Sequence, residues 1–458
     1  MSIRNIDTHN QNPEKISDKI EQVTFNAIRK VLPDEAIIQA CQNADHQYRQ
    51  RLITPIITVL HMILAAIWPE QSFAASWHLL WASAASKFDM AGSSPSLGSV
   101  AKARARLPLK LWHNLFDWIS ERGQNLSERF DKWRGHRVVL MDGTCVSMSD
   151  KKELFKEFGT SRGYHGNGKY PLARLVTIAI ANTMLVLNYA IGLYNQSENA
   201  LARPLLKRLK KGDLLLADRH FAAAHFYWYY QSIGLEFLTR IHQCLKISRI
   251  KRIESYSAND FLGWLEINKN YRKKDPDMPA KIMVRFIKAV ISVRGRRKAV
   301  WFATSLLDNK KYPAWEIVAL YTRRWRIETL LRQLKINFSA DVLRSQSSSG
   351  IRKEIAARLV ALNVVRTIML ESAIQQNVEP ASICFVHAVR AIISFSPALA
   401  TEVFWRLPQI YRAMLVEIAA HLIEERPGRI EPRMIRREWH HYPSLKTTRA
   451  YWRAKYVA

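Results

Sequence analysis

The chain has 458 residues, of which 69 are Lys or Arg and 39 are Asp or Glu, a formal excess of +30. An excess that large, spread along the chain rather than gathered in a tail, points to a polyanion and away from a membrane surface. Four cysteines with no CxxC pair argue against zinc and against a disulfide framework, and fit a reducing cytoplasm.

With 48% hydrophobic residues the chain can bury substantial cores, and two to four domains are expected. No secretory signal opens it, and its first 12 residues are polar enough to predict disorder. From Pro13 to about Lys132 the patterns are helical. Residues 36–50 have good helix propensity, and Ser94 to Leu107 offers serine caps followed by Lys102, Arg104 and Arg106. The apolar run from Leu52 to Trp68 is interrupted by Pro55 and His61, so it predicts a buried helix and no membrane span. Residues 1–135 read as a helical DNA-binding region, with a packing domain carrying a solvated basic face as the equal alternative.

From Arg137 the period changes. Arg137–Ser147, Leu172–Met184 and Leu185–Asn195 read as strands, Asn199–Lys211 as a helix, Asp213–Ala217 as a strand, Phe221–Gln231 as a helix and Leu235–Ile241 as a strand. This order predicts an α+β, mixed fold: a mixed sheet flanked by helices. Residues 243–307 read as a β-rich insertion, 308–375 as the closing part of the core, and 376–458 as a helical, basic C-terminal region. Gly163, Gly168 and Lys169 satisfy most of a phosphate-loop pattern, but no Ser or Thr follows the lysine and the next segment reads as strand. The segment reads instead as a basic active-site loop. His440-His441 reads as surface of the basic tail.

The closing segment carries the sharpest pattern. Tyr321, Arg324, Glu328 and Lys335 stand at offsets 0, 3, 7 and 14, which an uninterrupted helix places on one stripe. Ile317, Leu320, Ile327, Leu331 and Leu334 form an apolar stripe beside it. A lone carboxylate ringed by cations suits a metal-binding acid set against a phosphate backbone. Asp142 lies in the first predicted strand and Asp218 just past the fourth. If those strands are neighbours the three acids converge, and three hard oxygen donors suit Mg²⁺. Singly, each acid has a plainer reading: a hairpin turn for Asp142-Gly143, a helix cap for Asp218, and an i,i+4 ion pair for Glu328.

Tyr321-x2-Arg324-x3-Glu328-x6-Lys335 matches the YREK signature of bacterial insertion-sequence transposases of the "four" family, a branch of the DDE transposases. Met141-Asp142-Gly143-Thr144 and Leu216-Ala217-Asp218-Arg219 resemble that family's first and second acid motifs. The resemblance implies a ribonuclease-H-like core interrupted by the β-rich insertion. It implies Asp142, Asp218 and Glu328 as catalytic acids and ligands of two Mg²⁺ (or Mn²⁺) ions. It further implies cut-and-paste cleavage and strand transfer at terminal inverted repeats of double-stranded DNA, by a homodimer on DNA. Tyr321, Arg324 and Lys335 become phosphate contacts, Arg219 a further DNA contact, and Trp264 the aromatic on which a flipped base would stack. A nuclease on the same core, and a decayed, non-catalytic protein that represses by occupying element ends, are the alternatives.

Overall fold

A computed structural model describes residues 26–49, 53–70, 72–88, 94–130, 132–163, 166–242, 244–293, 296–401, 404–423 and 454–455. The expectations for residues 1–12, for His440-His441 and for the basic tail lie outside these residues.

Among the described residues six helices precede the sheet: α1 (Asn26–Val31), α2 (Asp34–Asn43), α3 (Pro55–Ile67), α4 (Phe73–Phe88), α5 (Leu97–Arg106) and α6 (Leu109–Ser127). The Thr54 hydroxyl accepts from the Ile57 N–H to cap α3, and Pro55 occupies its first turn, where a missing N–H costs nothing. Every α3 residue except Ala65 is buried, so the apolar run is wrapped by protein. His61 within it reaches Phe73 O and Ser76 Oγ at 3.2 and 3.0 Å, and burial holds its imidazole down at about 4. Among the described residues no helix is long and apolar enough to cross a membrane.

Nine strands then form the main path of one sheet. They are β1 (His136–Met148), β2 (Leu172–Ile180), β3 (Val186–Leu193), β4 (Leu214–Ala217), β5 (Glu236–Arg240), β6 (Lys251–Ser257), β7 (Asp260–Glu266), β8 (Lys281–Val293) and β9 (Arg296–Thr304). Their spatial order is β3-β2-β1-β4-β5-β9-β8-β7-β6. β1 is antiparallel to β2 and parallel to β4, and β4 is parallel to β5. The period-2 alternation of β1 is clean: Val138 and Leu140 enter one core, Val139 and Met141 the other. The expected mixed sheet with helices on its faces is what forms. The segment after Gly168-Lys169 is the strand Leu172–Ile180, as read, and not the helix a phosphate loop opens.

The β-rich segment is not a separate module. β9 pairs with β5 through Phe302↔Arg240, Ala303↔Thr239 and Thr304↔Leu238, so the insertion prolongs the same sheet. Its far strand, β6, is exposed and charged, which protects an open edge from pairing with another chain. Fully buried Arg285 on β8 forks onto Asp260 of β7 at 2.8 and 2.6 Å and donates to the Tyr312 carbonyl at 2.8 Å. That pair ties the insertion to the chain entering the closing helices.

The closing segment departs from expectation. It is two helices, α10 (Ala314–Thr322) and α11 (Trp325–Asn337), where one was expected. At the joint, Arg323 N–H donates to Leu320 O and Arg324 N–H to Tyr321 O, both at 3.0 Å, the i→i−3 spacing of a tightened turn. The tightening breaks the 100° count across residues 321–324 and turns Tyr321 inward. The apolar stripe is realised, with Ile317, Leu320, Ile327, Leu331 and Leu334 all buried. The long α12 (Ser348–Gln376) is buried along most of its length and packs against α6, α3 and a last helix, α14 (Leu407–Ala420), which lies beside α13 (Phe385–Thr401). The N-terminal helices therefore share one apolar core with the closing helices and one face of the sheet.

Candidate active site

The first two acids are brought together by strand register. β1 and β4 run parallel with Met141 opposite Ala217, so Asp142 on β1 and Asp218 just past the end of β4 follow that pair side by side. Leu140 and Leu216, two residues before each acid, belong to the same core, so alternation sends both carboxylates to the face that carries α10 and α11.

Each acid accepts a backbone N–H from the residue after it: Gly143 N to Asp142 Oδ1 at 2.8 Å, and Arg219 N to Asp218 Oδ1 at 2.6 Å. Asp218 therefore caps, but what it caps is the single 3₁₀ turn Arg219–Phe221, not the helix starting at Ala224. Burial pushes the Asp142 carboxyl up to about 6. The Gly143 N–H and Arg324 pull it back down, and Glu198 and Asp218 add to the rise.

Glu328 stands on the first turn of α11, half-exposed, with Oε1 held by Arg324 Nη2 at 2.7 Å. Arg324 itself is buried, and its Nε has no partner among the described residues. Its guanidinium lies 5.3 Å from the Trp325 ring centroid and 6.0 Å from that of Tyr321. The carboxylate oxygens of Asp142, Asp218 and Glu328 do not all come within 4.8 Å of one another.

Tyr321 is 6% exposed, and its hydroxyl donates to the Ala217 carbonyl at 3.3 Å. It thus braces the strand end that presents Asp218, where the sequence pattern set it on an exposed stripe. Lys335 is half-buried beside β1, and burial lowers its ammonium, with Cys145 and Asp341 opposing the shift. Arg219 is half-buried immediately after Asp218.

Trp264 is not brought to the acids. It is half-buried on β7, with Lys281 Nζ 4.6 Å above its ring, and β7 lies four strand spacings from β4, about 19 Å across the sheet. An exposed flat ring beside Arg324 is that of Trp325, 57% exposed. Sequence reading passed over it, although it adjoins Arg324 in the motif.

A fourth carboxylate was also missed. Glu198 opens α8 (Glu198–Leu206), where Arg174 of β2 holds it at 2.6 Å. A Cβ on Gly143 would come within 2.5 Å of the Glu198 carboxyl carbon, so the glycine beside Asp142 makes room for that side chain. A glycine inside a strand, directly after Asp142, was the available signal.

Comparison with known proteins shows what the chain is similar to. The family model of the transposase DDE domain matches residues 133–364, spanning all three acids. The chain is 23% identical over 351 residues to the Escherichia coli K12 transposase InsG for insertion sequence element IS4, covering 76% of this chain and 78% of that one. It is 30% identical over 98 residues to the putative transposase InsZ of the same organism, covering 21% of this chain and 33% of that one. Among solved structures, a cryo-EM structure of the piggyBac transposase synaptic complex with hairpin DNA aligns over 90% of this chain and 86% of that one, at 10% identity and a TM-score of 0.40. The chain therefore belongs to the transposase DDE-domain family, and its function is that of a DNA transposase.

Proposed function

We propose that the chain cleaves DNA at the terminal inverted repeats of its own element and joins the freed ends to target DNA, with Asp142, Asp218 and Glu328 as its catalytic acids. The observation that carries this reading is the parallel register of β1 and β4, which sets Asp142 beside Asp218 on the face where α11 presents Glu328. The mixed order β3-β2-β1-β4-β5 supports a ribonuclease-H-like core over 136–242 and 308–375, with 243–307 as its insertion. On this reading residues 1–135 contact DNA, residues 376–458 form the C-terminal region, and the protein works as a homodimer on DNA in the bacterial cytoplasm.

The donor set fits a hard divalent cation. Three carboxylates from three elements lie within electrostatic reach of Arg324, and burial and neighbouring acids raise the Asp142 carboxyl above the usual carboxylate range, an imbalance that added positive charge would relieve. Asp142, Asp218 and Glu328 would hold Mg²⁺ or Mn²⁺, in a pair if the usual two-ion arrangement applies. Bound there, such ions would supply Lewis-acid chemistry, lowering the pKa of an attacking water or 3′-hydroxyl and offsetting charge on the leaving oxygen.

The chain's own residues do the rest. Arg324 orients Glu328 and presents cationic charge toward a phosphate, together with Lys335 and Arg219. Tyr321 holds the end of β4, and through it Asp218; as a phosphate contact it would first have to leave the Ala217 carbonyl. Trp264 would meet DNA away from the scissile bond, whereas Trp325 would offer an exposed ring beside Arg324.

The test is a cleavage assay on the DNA flanking the gene, with Mg²⁺ or Mn²⁺ and a Glu328→Gln control. Metal-dependent cuts at paired inverted repeats, absent in the control, are expected. Cuts that persist in the control would sink the assignment of Glu328, and binding without any cut would leave a repressor of element ends.

A further inference from the structure

A second cluster of metal-ligating side chains lies outside the acid site. His387 stands on α13, while Glu417 lies on the last turn of α14 and His421 just beyond that helix. Glu417 and His421 are spaced i,i+4, so they share one face. The Nε2 atoms of His387 and His421 approach the same oxygen, Glu417 Oε1, at 3.4 and 3.2 Å. The two imidazole centroids are 3.3 Å apart. One ligand atom from each of the three residues fits within a 4.8 Å circle.

The distances decide between two readings. Charge-assisted N–H···O contacts settle at about 2.7–2.9 Å, and two imidazolium rings stacked this closely would repel. Ligands held at about 2.0–2.1 Å around a tetrahedral ion stand about 3.3–3.4 Å from one another, close to the 3.4 and 3.2 Å that separate Glu417 Oε1 from the two Nε2 atoms.

The cluster is also prearranged. Cys384 N–H donates to the His421 carbonyl at 2.9 Å, Ile423 N–H donates to Ser382 O at 2.6 Å, and Ile383 bridges Leu422. These contacts lock the segment after α14 onto the segment before α13, so the ligands need no backbone rearrangement. The side chains of His387, Glu417 and His421 are 32, 47 and 45% exposed, leaving an ion reachable from water with a coordination position open.

We propose that His387, Glu417 and His421 bind a borderline-soft divalent transition metal, Zn²⁺ by chemistry, which clamps α13 to α14. Two neutral imidazoles and one carboxylate suit Zn²⁺ and discriminate against Mg²⁺, which favours all-oxygen shells. Cysteine spacing argued against zinc. These ligands are imidazoles from two helices, with His387 and Glu417 30 positions apart, a pairing invisible to spacing rules.

The test uses the full-length, metal-stripped protein titrated with Zn²⁺ against a chromogenic chelator, with thermal unfolding in parallel. One tight equivalent and a raised melting temperature are expected for the wild type and for Glu328→Gln. In His387→Ala/His421→Ala, affinity should fall by at least about 100-fold, since losing an outer-shell partner alone typically takes 10–100-fold. Glu417→Gln, which keeps the shape, should weaken binding as well. No zinc uptake by the wild type, undiminished uptake by the double variant, or uptake abolished by Glu328→Gln would each overturn the proposal.

Discussion

Two arginine–carboxylate pairs, one in the insertion and one in the acid site, show how differently this chain uses the same chemistry. Arg285 and Asp260 are closed: the guanidinium is fully buried, bidentate, and completed by backbone carbonyls. Arg324 and Glu328 are open: a buried guanidinium with an orphan Nε holds a carboxylate that is 41% exposed. The first pair is satisfied internally and can only stabilise or rigidify. The second leaves charge unspent on the side facing Asp142 and Asp218, which is what binding a phosphate or an ion requires.

The contrast can be broken by substitution. Glu328→Gln should lower cleavage by about 10⁴-fold, a barrier rise of about 5 kcal/mol, while leaving the thermal midpoint essentially unchanged. A large loss of stability in that variant would mean that the acid-site pair is structural after all. Arg285→Ala should do the reverse, costing about 3–5 kcal/mol in denaturant unfolding because it strands buried Asp260. A cost below about 1 kcal/mol, typical of a surface pair, would erase the distinction.

A pH experiment sharpens the site side. The Asp142 carboxyl is raised from 3.8 to about 6 on folding, so between those values the native state binds more protons than the unfolded chain. Stability contributed by this group is therefore present at low pH and declines as pH rises through about 6. Asp142→Asn should be the more stable protein at pH 7–8, by up to about 3 kcal/mol, with the advantage gone near pH 4. Added Mg²⁺ should narrow that gap by stabilising the wild type alone; a gap flat across pH would refute the burial argument. The smallest effect is expected from Gly143→Ala. Its methyl must push the Glu198 carboxyl away from Arg174, costing about 1 kcal/mol in stability and reducing cleavage by shifting β1 beside Asp142.

Much of this was legible in the residues. The strand-like run Arg137–Ser147 located β1, the short apolar run ending at Ala217 located β4, and Asp142 and Asp218 followed from their places in those runs. The apolar stripe of α10 and α11 was equally plain. The turn between those helices was not, because Arg323 and Arg324 have ordinary helical propensity and nothing local marks the i→i−3 tightening. That is why Tyr321 was placed on the exposed stripe and lies buried instead.

The sequence by itself determined the period of each element, the order of strands and helices, and the three acid positions, since these depend on local sterics and on which face of an element must leave water. Tertiary structure alone decided that the insertion extends the core sheet, that Glu198 reaches over Gly143, that Arg285 finds Asp260, and that His387 meets Glu417 and His421. Those are contacts between elements far apart in the chain. They are selected by whether a buried charge finds its partner and whether two surfaces fit, and no single segment carries that information.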